Sequence, residues 1–296
     1  MKGSCRLCRN TTELNESHII PSFVFKWFKE TSGTGFIRFG HTPNQRMQDG
    51  LKPYWLCDDC ERLFNSWETV FANNIFHPMN KGERPTSSYG PWLLKFAVSV
   101  SWRVLNYFLE EHELSHFPNE LLLSTEKALA KWKDFMLDQS PDPGQFEQHM
   151  LPFNCLVGFD HPDMPPNINR YMLRTVDIDA VKLGEKDGFV YSKMGRIVLI
   201  GFIEISHPQR WKGTKLHVKK GVLGSKHYSL PAEFGEYFLS KARRLAEINK
   251  SMSGKQKQKI EDTYRKNINR AISSETLKAI DYDVKLFGKK AFDKNE

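Results

Sequence analysis

Cysteine is scarce in this chain, with five among 296 residues, too few for a disulfide-built scaffold at this length. Long apolar runs are also missing. The best one, Trp92–Leu109, is interrupted by Lys95, Ser99, Ser101, Arg103 and Asn106, whereas a membrane span needs about 18 residues with few or no charges. Phe96, Val100, Val104, Tyr107 and Phe108 recur in it at helical spacing, which predicts a buried amphipathic helix. Met1 to Asn10 shows no apolar h-region, so no secretory signal is read. A soluble, cytoplasmic protein with reduced thiols and no membrane partner is expected. There is no Gly-rich phosphate loop, no nucleophile elbow and no internal repeat. Hydrophobic residues at 40% and charged residues at 26% exclude collagen-like and disordered classes.

What the chain does have is positive charge, unevenly placed. The formal net charge is +8. From Ile205 to Glu296 there are 21 Lys/Arg against 10 Asp/Glu, and residues 1–204 hold 22 against 25. The basic run includes Lys212, Lys215, Lys219, Lys220, Lys226, Lys241, Arg243, Lys259 and Lys266. Such asymmetry suggests a surface facing a polyanion, although solvated basic helices account for it equally well. Aromatics are sparse there, which favours backbone contacts over base stacking.

Breaks in the pattern divide the chain into three stretches: 1–80, 81–145 and 146–296. The first boundary is the polar segment Lys81–Gly90 with Gly82, Pro85 and Gly90; the second is Ser140-Pro141-Asp142-Pro143-Gly144. In the first stretch, a helix is predicted over Phe23–Glu30. Strands are predicted at Phe36–Phe39 and Tyr54–Leu56, followed by a helix after Cys57 that Pro78 ends. Helices are predicted over Pro91–His112 and about Ser124–Leu137. Short β-rich runs follow, clearest at Gly188–Tyr191 and Ile197–Ile205, which read as a hairpin around Gly195-Arg196. After Pro231 the pattern is helical. The fold class read from this is α+β.

Cys5-Arg6-Leu7-Cys8 and Cys57-Asp58-Asp59-Cys60 are two CxxC pairs. A two-residue gap lets both thiolates of a pair face one tetrahedral ion, as structural zinc requires. One pair is weak evidence, because redox motifs share it; two pairs using four of five cysteines are stronger. Cys155 stands alone in an apolar run and reads as a core residue. The first pair precedes Ser17-His18-Ile19-Ile20-Pro21, and the second opens a helix. A knuckle, a hairpin and such a helix make a treble-clef zinc finger, here of the ββα-metal kind.

CxxC, then His-Ile-Ile-Pro, then Leu-Cys-x-x-Cys opening a helix, resembles the HNH, or His-Me finger, endonucleases, and more closely their four-Cys subgroup. The resemblance covers about residues 1–75. It implies a metal-dependent endonuclease acting on nucleic acid, DNA rather than RNA, in phage defence or a mobile element. It also implies a structural Zn²⁺ on Cys5, Cys8, Cys57 and Cys60 and a catalytic Mg²⁺ or Mn²⁺. Carried onto this chain, His18 matches the general base and Glu61 the metal ligand that follows the last Cys. Ser17 falls where the subgroup has an acid, a departure because a hydroxyl is a poor ligand for a hard cation. Glu61 restores the carboxylate, with Ser17 or water completing the site, and Asn65 and Glu68 share its helix face. Glu13 and Glu16 lie nearby as substitutes. Arg38 and Arg46 are candidate phosphate contacts. Enzymes of this kind often work in pairs to cut two strands, so a homodimer is compatible, though no interface signature is visible. A non-catalytic zinc finger that binds nucleic acid or a protein partner stays open, as does a redox CxxC protein.

Overall fold

Pro91 opens the helix on which most of the molecule's larger unit is built. The first helical turn suits proline because its missing N–H would have no intrahelical partner there. This helix, Pro91–Glu110, is buried almost continuously from Leu93 to Asn106. The side chains that ruled out a membrane span are each satisfied inside the protein. Lys95 Nζ donates to Phe135 O (2.5 Å) and pairs with Asp138 (2.6 Å). Ser101 Oγ donates to Gln148 Oε1 (2.7 Å), and Asn106 Nδ2 to Trp102 O (2.8 Å). Among the described residues, no helix is long and apolar enough to cross a membrane.

The structure is a computed structural model that describes residues 1–83, 87–111, 113–159, 161–223 and 227–292. Pro85 and Lys226 lie outside these residues. The architecture is mixed α and β, with helices and small antiparallel sheets. Two compact units interleave along the chain. The first comprises Met1–Pro21, Leu51–Pro152 and Val176–Pro231; the second comprises Ser22–Gly50, Phe153–Thr175 and Ala232–Glu296. They cut across the linear limits expected near residues 80 and 145.

In the first unit the central helix packs on a four-stranded antiparallel sheet ordered Gln148–Pro152, Ile197–Glu204, Asp187–Met194 and Val176–Leu183. The expected hairpin is the pair Asp187–Met194 and Ile197–Glu204, turning through Gly195 at φ 59°. Gly201 lets helix and sheet approach closely: a Cβ there would lie 2.4 Å from Ser101 Oγ. The second helix of the layer, Asn119–Met136, starts after Pro118, five residues before Ser124.

Two short ladders lie at the N-terminal end, Lys2–Ser4 with Thr11–Glu13 and Asn15–Glu16 with Tyr54–Leu56. The strand expected at Phe36–Phe39 is absent. Ile37 makes only one bridge, to Met47, within the second unit, and Tyr54–Leu56 finds its partner 40 residues upstream instead. Local pattern marks a strand's propensity but not its partner. The helix Asp58–Phe71 also does not stop at Pro78. It widens into a π-helical stretch, Ala72–Phe76, and resumes over His77–Asn80. That puts Pro78 in a new first turn, where no N–H is needed.

The second unit is mostly helical: Ser22–Glu30, Ile168–Arg174, Ala232–Ser251, Gly254–Lys266, Ile268–Ser273 and Glu275–Phe287. The break expected over Ser251–Lys259 is shorter, because Ser253 caps the helix from Gly254 by accepting from Gln256 N. Asp283, fully buried, accepts from Asn169 N (2.7 Å) and Arg170 Nε (2.8 Å). The Arg174 guanidinium stacks over Trp27 and Phe28, 4.7 and 4.6 Å from the ring centroids.

Candidate functional site

Two local devices deliver the four paired cysteines. The hairpin Lys2–Ser4/Thr11–Glu13 closes over a tight turn in which Cys5 N donates to Asn10 O (2.8 Å) and Arg9 N to Cys5 O (2.9 Å). Arg9 takes the left-handed conformation, φ 67°, that this turn demands. On the other side, Cys57 caps the helix Asp58–Phe71, which places Cys60 in its first turn. The four Sγ atoms all lie within 4.8 Å of one another, and Cys8 and Cys57 are 3.7 Å apart. Four sulfurs on a tetrahedral zinc, at Zn–S near 2.3 Å, sit about 3.8 Å apart. The cluster can therefore hold a metal ion, and its sulfur donor set is the one zinc takes. Burial pushes the Cys5 thiol up, but N–H groups of Cys8, Cys57 and Leu7 outweigh this and take it down to about 7. Among the described residues, no other group of three or more His, Cys, Asp or Glu gathers closely enough to hold an ion.

The cluster is fastened to the central helix. Arg6 N donates to Trp55 O (2.8 Å), and the Arg6 guanidinium lies 4.4 Å from the Trp55 ring centroid. The same guanidinium reaches Asn106 Oδ1 (3.3 Å) and Glu110 (2.9 Å).

Past the second ladder, Ser17 N donates to Pro53 O (2.7 Å) and Ile19 N to Leu51 O (3.0 Å). His18 is thus held in an extended backbone between two anchors, its side chain half-buried. Ser17 is 1% exposed. Its hydroxyl donates to Glu61 Oε1 (2.5 Å) and accepts from Leu56 N (3.1 Å). The same oxygen lies 3.3 Å from Asn15 O, so the hydroxyl has three protein partners and aligns Glu61. Burial raises the Glu61 carboxyl above its ordinary range, partly offset by the Ser17 hydrogen bond and the Arg103 and His18 charges.

Arg103, one of the residues that interrupt the apolar run Trp92–Leu109, comes from the central helix into this site. Its Nη1 donates to His18 O (2.8 Å), its Nη2 pairs with Glu68 Oε1 (2.8 Å) and its Nε donates to Ser99 O (3.1 Å). The guanidinium faces the Phe64 ring at 5.1 Å. One signal could have found it: a lone arginine within an apolar helix must have a carboxylate or carbonyl to meet.

The remaining candidates fall elsewhere. Asn65 is exposed on the helix that carries Glu61. Glu16 pairs with Lys52 (2.8 Å) and Glu13 with the N-terminal amine (3.0 Å), so both proposed substitutes have other partners. Arg38 and Arg46 belong to the second unit. Cys155 is half-buried rather than a core residue. Comparison with family models, with curated proteins and with solved structures yields no match to this chain.

Proposed function

We propose that the first unit carries a metal-dependent endonuclease site of the HNH type, built on a treble-clef finger with structural zinc on Cys5, Cys8, Cys57 and Cys60. The observation that supports it is the joining of His18, Ser17 and Glu61 to the cysteine cluster. Ser17 and His18 directly follow the strand Asn15–Glu16, which pairs with Tyr54–Leu56; that strand leads through Cys57 into the helix Asp58–Phe71, which carries Cys60 and Glu61. DNA is the proposed substrate, and phage defence or a mobile element the proposed setting.

In this reading His18 takes the proton from an attacking water, the general-base role that imidazole most often fills. Arg103 holds the His18 backbone and Ser17 holds the Glu61 carboxylate, so the base and the ligand are positioned before substrate arrives. Glu61 and exposed Asn65 are the residues that would hold a Mg²⁺ or Mn²⁺, a hard cation that accepts carboxylate, amide oxygen and water. The ion would supply charge stabilisation on the scissile phosphate. Ser17, buried and committed to Glu61, serves alignment in this scheme rather than ligation.

The test is cleavage of plasmid DNA with Mg²⁺ or Mn²⁺ by the zinc-loaded protein. His18→Ala is expected to abolish cleavage while retaining zinc. Absence of any cleavage by wild-type protein with verified zinc would remove the enzyme reading. It would leave the second one, a non-catalytic zinc finger binding nucleic acid or a protein, which Ser17 in the acid's place favours.

A further inference from the structure

The second unit holds a cleft with an unusual concentration of unneutralised cations. It has a volume of about 570 Å³. One wall is the helix Gly254–Lys266, where Lys259, Thr263 and Lys266 follow at intervals of four and three and so share a face. Arg46 stands on the opposite wall, its guanidinium 4.5 Å from the Phe36 ring centroid. The walls are tied together. Asn44 Oδ1 accepts from Ser253 N (2.8 Å), and the amide of buried Gln256, in the orientation its neighbours demand, donates to Asn44 O (3.2 Å) and accepts from Arg38 Nη2 (2.8 Å). Arg38 is half-buried with its Nε buried and unbonded among the described residues. Burial and the neighbouring Arg46 charge both lower its pKa, as expected when two guanidiniums are gathered without an anion.

Among the described residues, no carboxylate lies within ion-pair distance of Arg38, Arg46, Lys259 or Lys266, and the cleft lining has one acid, Asp262. The surrounding unit is strongly basic: 21 Lys/Arg against 14 Asp/Glu, hence +7 of the chain's +8. No aromatic side chain lines the cleft, so stacking on bases is not what it offers. Lys259 and Lys266 lie two helical turns apart, about 10 Å, far enough to meet different phosphates of one backbone.

We propose that this cleft binds the phosphodiester backbone of DNA through Arg46, Lys259 and Lys266, independently of sequence. The identity of the ligand rests on the nuclease reading; the site itself does not. Binding is measured by fluorescence anisotropy of a short labelled DNA duplex at several salt concentrations, with Mg²⁺ omitted so that no cleavage intervenes. The combined variant Arg46→Ala/Lys259→Ala/Lys266→Ala, all at exposed positions, is expected to bind at least tenfold more weakly. Its salt slope should fall by about 1 for each lost contact. Each single change should give a proportionate part of that loss. Wild-type affinity and slope in the triple variant would overturn the proposal. So would capture of inorganic pyrophosphate by wild-type protein without affinity for the duplex. If duplex binding depends on the cleft and yet no DNA is ever cut, the cleft stands and the nuclease reading falls.

Discussion

Arg103 is the residue on which the candidate site turns. With Arg103 4% and Glu68 13% exposed, their ion pair is shielded from water, and removing one partner leaves the other charge buried and alone. Arg103→Met is therefore expected to destabilise the first unit by about 3–5 kcal/mol, read by urea unfolding. Arg103→Lys should not rescue it, because an ammonium cannot reach His18 O, Glu68 and Ser99 O in the fork geometry the guanidinium uses. Lys193 makes a different case. It is fully buried within the sheet, and burial takes its ammonium from 10.5 down to about 7, with Asp177 opposing. Between those two values the unfolded chain holds a proton that the folded chain lacks, so stability rises with pH across the window and is lost as pH falls through about 7. Lys193→Met should flatten that rise, with a melting temperature above wild type at pH 7 and little difference near pH 10.5.

At the scale of elements, the N-terminal segment that bears the cysteine cluster is too small to stand on packing alone. Its strands are two or three residues long. A metal held by four cysteines contributes about 10–16 kcal/mol of apparent folding energy in units of this kind, more than typical net domain stability. With zinc on the four cysteines, as proposed, chelation is expected to release one zinc per chain, measured by metal analysis, and to unfold this segment, with Cys57→Ser reproducing the effect. The four-stranded sheet and the central helix should persist, because their core of Phe189, Phe202, Val198 and Leu105 does not depend on the ion. The helix Asp58–Phe71 joins the two: Cys60 faces the cluster, while Phe71 stacks on Phe96 of the central helix at 3.8 Å.

For the whole molecule, the main fact is the weave of the chain. It passes from one unit to the other at residues 21–22, 50–51, 152–153, 175–176 and 231–232. No single cut separates the units. A chain ending at Pro231 keeps Ser22–Gly50 and Phe153–Thr175 but loses the helices that complete their core, including Phe234, Phe238 and Asp283. Such a truncation is expected to aggregate or bind the dye ANS, in contrast to the full chain. The weave also redistributes charge. The basic last third divides, Lys212 to Lys220 going to the first unit and Lys241 onward to the second, which leaves the unit with the candidate catalytic residues at +1.

Sequence alone was enough for whatever depends on near neighbours. The CxxC pairs, the hairpin at Gly195-Arg196 and the central helix were all legible because spacing and periodicity are local. The gathering of Cys5, Cys8, Cys57 and Cys60 was legible too, since one ion's coordination links two spacings. Tertiary structure decided the rest. Tyr54–Leu56 pairs with Asn15–Glu16, not with Phe36–Phe39, because strand propensity is blind to partner. The hydrogen bonds of Ser17 to Glu61 and Leu56 N join positions about 40 residues apart in sequence, which local spacing does not reveal. The partners of Arg103, with His18 85 residues away, and the cleft that joins Arg46 to a helix more than 200 residues later were beyond any local pattern, because only chain folding sets which distant groups come together.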